Sequence, residues 1–228
     1  MKQRPIIFNT EMVRAILDGR KTQTRRPMQP QPHKEWHPFS AKAEWYTPTV
    51  IDKKGFYQPA KNDVFGVSDE DQGFISPFGS IGDQLWVRET WYQKGHYCMP
   101  MWDGADDEDA FWSGTNQAKY FASDRIEKVS HKFGEYFWRK RPSIHMPRWA
   151  ARIILEVTDV RVERLSDISE QDAKAEGFDY PAVPGMGWKF NARHNFLVEW
   201  DQIYGNRSSN PWVWVIEFKV ISTTGGEA

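Results

Sequence analysis

The stretch Asn210–Ile221, NPWVWVIEFKVI, sets the strongest limit on what this chain can fold into. It alternates with a period of two: Trp212, Trp214, Ile216 and Phe218 fall on one face, Val213 and Val215 on the other. Apolar side chains on both faces require a layer on each side, so this strand is expected at the centre of a covered sheet. A chain of 228 residues can supply those layers as one large domain, or as a small domain carrying long insertions. Mean hydropathy is low, −0.71, yet aromatic residues make up 15% of the chain, with 12 Trp. Disordered chains are poor in aromatics. The composition therefore calls for a polar surface over an aromatic core, or for rings lining a binding site.

The remaining elements fit around that strand. Pro5–Phe8 is a short apolar strand candidate, and Asn9 or Thr10 can cap a helix whose stripe is Met12, Val13, Ile16 and Leu17. Gly19 supplies a left-handed stop, and Pro27 keeps Arg26 out of a helix. Residues 28–80 are rich in Pro and Gly and read as a long irregular insertion. After the Gly82-Asp83 turn, QLWVRETW reads as one strand, with Leu85, Val87 and Glu89 on one face and Trp86, Arg88 and Thr90 on the other. A second insertion, about 92–141, holds an acidic knot, Asp103–Asp109, and a short strand candidate, KYFAS. ARIILEVTDVRVERL should form one long or bent strand. Asp167 and Ser169 both offer caps to a helix through Ala175, and Asp167 with Glu170 has the capping-box spacing. Gly177 ends that helix. After a loop, GFDYPAVPGMGWK, a further helix over 191–204 carries Phe196, Leu197, Trp200 and Ile203 and closes at Gly205. Strands joined by loops rather than by regular crossover helices favour an α+β fold, a small mixed or antiparallel barrel flanked by helices. One domain over 1–222 with a mobile tail at 223–228 is the expected organisation.

The net charge of −1 rules out a global basic field, so any contact with nucleic acid must come from a local patch. Cys98 is the single cysteine, which excludes an intrachain disulfide and a thiolate zinc site and makes a reducing cytoplasm the expected compartment. The N-terminal residues have no apolar stretch of signal-peptide length, and no run of 18 apolar residues can span a membrane. The six His lack metal-ligand spacing, and neither a P-loop nor a dinucleotide glycine motif is present, so no metal and no cofactor are expected.

Two basic segments stand out. DGRKTQTRR follows the first helix, and its cations can either sit solvated at the negative end of the helix dipole or line a site. WRKRPSIHMPRWAAR interleaves Arg139, Lys140, Arg141, Arg148 and Arg152 with two Trp and His145. That pattern fits a nucleic-acid strip or a solvated face paired to the acidic knot.

Four pieces, ILDGRKTQTRR, GDQLWVRETW, LEVTDVRVERLSDISEQDAKAEG and WVWVIEFKVI, resemble ASCH domains, a branch of the PUA-like β-barrel superfamily, and occur in that family's order over roughly half the chain. PSIHMPRWAAR and the two insertions resemble bacteriophage and prophage members. The resemblance implies a PUA-like barrel. Small ASCH amidohydrolases remove the acetyl group of 4-N-acetylcytidine with a Lys, a Thr three residues on and a Glu in the acidic helix. The matching positions here are Lys21, Thr24 and Glu176. The chain departs from those enzymes in its long insertions and in Arg25-Arg26-Pro27, which follow Thr24.

In chemical terms, a lysine whose pKa is lowered by burial or neighbouring cations can take the proton of a threonine hydroxyl, and a carboxylate can shuttle it to a leaving amine. The same cations can instead hold a phosphate or a base edge without chemistry. Arg20, Arg25, Arg26, Trp86, Arg88, Glu89, Trp91, His145, Arg148 and Trp149 are the candidate ligand-binding residues. The leading expectation is a protein that binds RNA or a modified nucleobase in a cleft lined by the 20–26 loop. A metal-independent amidohydrolase on acylated cytosine nucleosides, a ribonuclease and a non-catalytic phage interaction module are the alternatives.

Overall fold

The computed structural model describes residues 1–102, 107–126, 134–179 and 191–224. It is an α+β fold dominated by strands. In chain order they are β1 (Gln3–Ile7), β2 (Gln23–Pro27), β3 (Glu44–Tyr46), β4 (Thr49–Ile51), β5 (Tyr57–Pro59), β6 (Val64–Ser68), β7 (Gly73–Ile75), β8 (Gln84–Arg88), β9 (Trp91–Cys98), β10 (Phe111–Tyr120), β11 (Phe137–Arg141), β12 (Ile154–Arg164) and β13 (Trp212–Ser222). The helices are α1 (Thr10–Leu17), α2 (Glu170–Ala175) and α3 (Ala192–Tyr204).

The main sheet runs β1-β8-β12-β13-β2. β1 and β8 are parallel, and every other pair is antiparallel. β13 is second from one edge, and both of its faces are covered, as its sequence requires. Trp214, Ile216 and Phe218 join the larger core with Ile6, Leu85, Leu155 and Val157, whereas Val213 and Val215 join a second core built on α2 and α3. The long strand β12 is bent by a register shift between Val157 and Asp159. The extra residue explains why its core positions switch from Leu155 and Val157 to Val160 and Val162. The ladder leaves β1 and β2 as edges, so the sheet is not a continuously hydrogen-bonded barrel.

Local chemistry sets the ends of the helices. Asn9 caps α1 by accepting from the Met12 amide at 2.8 Å, and Gly19 takes φ +72° just beyond it. The cap of α2 is Ser169, in a capping box with Asp172 rather than the expected Asp167–Glu170 pair. Residues 165–167 form a separate 3₁₀ turn. The Glu170 carboxylate instead accepts the Ala192 and Arg193 amides at 2.8 and 3.0 Å, and so caps α3 together with Asn191.

Three expectations need correcting. The 28–80 segment is not loop: β3, β6 and β7 form one sheet and β4 and β5 a hairpin. Strands of three to five residues are too short to show a clear period, but Met28, Trp36, Phe65 and Val67 are core residues of the domain. At Gly66 a side chain would strike the Phe74 carbonyl, so β6 and β7 approach more closely than any other residue allows. QLWVRETW is not one strand, because the chain breaks at Glu89-Thr90 and passes from β8 to β9 in a different sheet. KYFAS splits between the end of β10 and a turn at 121–123. Most of the loop expected over 177–189, part of the acidic knot and the end of the tail lie outside the described residues.

No helix among the described residues is long and apolar enough to cross a membrane. No group of three or more His, Cys, Asp or Glu among them is placed to hold a metal ion.

Candidate functional site

The segment after α1 is not a solvated helix exit. The Arg20 and Lys21 amides bond the Ala15 carbonyl, the Thr22 amide bonds Ala175 at 2.8 Å, and the chain then enters the sheet as β2. This draws the start of β2 against the end of α2. Gly177, at φ +95°, makes the fit possible, since a Cβ there would lie 2.7 Å from that of Ala15.

Lys21 and Glu176, 155 residues apart in sequence, meet in this seam. The Lys21 ammonium donates to Glu176 Oε2 at 2.5 Å, to the Glu176 carbonyl at 3.1 Å and to the Gln23 carbonyl at 2.8 Å. Neither side chain is more than 1% exposed. Burial lowers the pKa of Lys21 below its ordinary value. Glu176 opposes that shift, and the charges of Arg26 and Arg25 reinforce it. Thr24 is buried beside this pair in sequence, and its hydroxyl has no hydrogen-bond partner among the described residues. The ammonium and the carboxylate therefore meet, while the hydroxyl bonds to neither.

Arg25 and Arg26 point to opposite faces of β2. Arg25 is fully buried: Nε donates to Glu163 at 2.7 Å, Nη1 lies 3.4 Å from Glu176 and Nη2 3.7 Å from Asp172. It is an internal counter-ion, which corrects its expected place beside a ligand. Asp172 is pushed up by burial, but hydrogen bonds from Ser169 and Gln23 and the charge of Arg25 outweigh this and hold its carboxyl below the usual range. Arg20 is also drawn to the seam, by the Gly177 carbonyl at 2.9 Å and Asp18 at 2.9 Å.

Arg26 differs. It donates to the Ile7 carbonyl at 2.6 Å, lies 3.3 Å from the Tyr204 hydroxyl and sits over the Phe8 ring, and no carboxylate among the described residues pairs with it. It lines a cleft of about 680 Å³ with Pro27, Pro30, Phe74, Phe78, Tyr204 and Trp214. A second hollow of about 510 Å³ shares Arg26, Phe78 and Tyr204 and continues along β1 to Met12. Beside Glu176 the seam borders a recess of about 40 Å³.

The remaining candidates lie away from this cleft. Both oxygens of Glu89 are held by Arg152, at 2.9 and 3.0 Å, and burial raises its pKa against that pairing. Trp91 is a core residue stacked edge-on against Trp149. Arg88 packs over Trp86 on the outer face of β8. His145 and Arg148 lie on short 3₁₀ turns, where Arg148 bonds Gln3. Sequence reasoning missed Phe74, Phe78 and Tyr204. Their only signal was an aromatic residue within a Pro- and Gly-rich stretch or at a helix end. Comparison with family models, curated proteins and solved structures finds no match to this chain.

Proposed function

We propose that this protein binds a nucleobase, or a base of single-stranded RNA, in the Arg26 cleft on an ASCH-type, PUA-like scaffold. The observation that carries the reading is an arginine with no carboxylate partner among the described residues, set among aromatic rings in a concavity of about 680 Å³. Rings stack bases irrespective of sequence, at roughly 1–3 kcal/mol per base. A planar guanidinium meets a phosphate or a base edge in a bidentate way. The barrel reading draws support from the two sheet edges: Arg26 on β2 bonds the end of β1, so a side chain spans the gap that the ladder leaves open. Titration of cytidine and uridine monophosphates tests the proposal. Arg26→Ala should weaken binding at least tenfold, and unchanged affinity would remove the cleft as the site.

A second reading, hydrolysis of acylated cytosine nucleosides, is favoured by one specific observation. The Thr24 hydroxyl, without a partner among the described residues, lies on the same face of β2 as Arg26, one pleat deeper, and Lys21 with its lowered pKa precedes it by three residues. In that reading the Lys21 amine takes the Thr24 proton as the oxygen attacks the acyl carbon, Glu176 relays it to the departing amino group, and water then hydrolyses the acyl-threonine to free the hydroxyl. Release of cytidine from 4-N-acetylcytidine, abolished by Thr24→Val, is the expected result. Full turnover by that variant would exclude the hydroxyl.

A further inference from the structure

The second insertion folds into a three-stranded sheet, ordered β10-β9-β11, that stands apart from the main one. Its strands contain five Lys or Arg residues and no Asp or Glu. In a chain of net charge −1 this is a sharp segregation of charge. Register fixes which residues share a face. Lys119, Tyr92 and Lys140 form one row across the three strands, and Lys94 pairs with Trp138 in the next. The opposite face starts at Trp91, which packs into a small core with Met146 and Ala150. The lysine face is therefore turned away from that packing.

Rings hold two of the three ammonium groups in place on that face. Lys119 lies 4.9 Å from the centre of Trp138 and Lys140 4.0 Å from that of Phe121, while Tyr92 lies against Phe121 at 6.2 Å. Among the described residues no ion pair joins any of these lysines to a carboxylate. Cation–π contacts orient an ammonium but leave its charge uncancelled. Two ring-oriented cations and a third, Lys94, interleaved with rings on strands without acids, match a chain that alternates phosphates and flat bases.

We infer that the face bearing Tyr92, Lys94, Lys119, Trp138 and Lys140 is a binding platform for single-stranded nucleic acid, separate from the Arg26 cleft. The lysines meet backbone phosphates, and Tyr92, flanked by two of them, stacks a base. The rings set between the cations offer flat faces for bases between phosphates, which decides for nucleic acid over an acidic protein.

The test is fluorescence anisotropy of labelled ten-residue oligouridylate and oligothymidylate on the full chain, across about 50–200 mM salt. Three phosphate contacts give a slope of log K against log salt of about −2. Lys94→Ala, Lys119→Ala and Lys140→Ala together should weaken binding at least tenfold and flatten the slope by about 2. Arginine at the same three positions should restore both, which separates lost charge from lost folding. Tyr92→Ala should weaken oligonucleotide binding severalfold and leave binding of polyglutamate unchanged. Tighter binding of the uridylate marks RNA as the source, and equal binding marks single strands of either kind; both support the platform. An unchanged slope in the triple alanine variant overturns it. So does polyglutamate binding as tightly as the oligonucleotides, which marks an acidic protein as the partner. The triple alanine variant should leave the titration of cytidine and uridine monophosphates unchanged, since none of its three lysines lines the Arg26 cleft, so failure of the cleft and failure of the platform are told apart.

Discussion

Two basic stretches, RKTQTRR near the start of the chain and WRKR before Pro142, look alike as sequence and end in opposite electrostatic conditions. In the first, Lys21 and Arg25 are swallowed by the seam between β2 and α2, where Glu163, Asp172 and Glu176 surround them. In the second, the cations lie on a sheet whose strands hold no acid at all. The composition of a basic run does not settle which outcome applies. The decision rests with carboxylates about 140 to 155 residues away, brought in by β12 and α2. Buried charges that are matched tie the fold together, whereas unmatched surface charges remain for a partner.

The largest effect should come from unbalancing the seam. Glu176→Ala leaves a buried ammonium and an arginine short of their carboxylate, and should cost about 3–5 kcal/mol in urea unfolding. Lys21→Met combined with Glu176→Leu removes both charges of the closest pair and should recover most of that loss. If the alanine variant costs under about 1 kcal/mol, the seam is not a fastener, and the contrast between the two basic regions loses its structural half.

Much of the frame was legible, for reasons visible residue by residue. β13 has a two-sided apolar alternation, α1 has a cap, a stripe and a glycine stop, and each of these is local information. β2 was not legible, because Gln23, Thr24, Arg25 and Arg26 look like exposed loop until their partners are known. The fate of the two adjacent arginines follows from strand alternation alone, but only once β2 is recognised as a strand. Within the candidate trio, the distant match between Lys21 and Glu176 signalled a real contact, whereas nothing in the spacing of Thr24 announced a hydroxyl with no partner among the described residues. Residues 28–80 hid their strands in pieces of three to five residues and their core role in single residues such as Trp36, which is fully buried between Phe74 and Trp212.

A second, smaller effect should appear with acid. The native carboxyl of Asp172 titrates below its unfolded value of about 3.9. Its contribution to stability is therefore complete above that value and disappears as the pH falls through the lower, folded one. Between pH 4 and 2 the seam should loosen first, seen as faster amide exchange at Thr22 and Glu176 than in the strands of the insertion sheet, which hold no carboxylate to protonate. Asp172→Asn should flatten that acid-side slope. Equal loosening of both regions would mean that acid acts on the whole molecule and not through the seam.

The smallest effect is expected where the charges are unmatched. Replacing Lys94, Lys119 and Lys140 together by alanine removes no ion pair found among the described residues and forfeits two cation–π contacts, each worth about 0.5–1 kcal/mol at an exposed site. The row Lys119–Tyr92–Lys140 also places like charges on the two strands that flank β9, either side of one ring, and relief of their repulsion offsets part of that loss. The net change in unfolding free energy should stay below about 1 kcal/mol, a small fraction of the cost of Glu176→Ala. A loss as large as the seam variant's would show that the insertion sheet needs its lysines to fold, and that the two basic regions differ in burial but not in purpose.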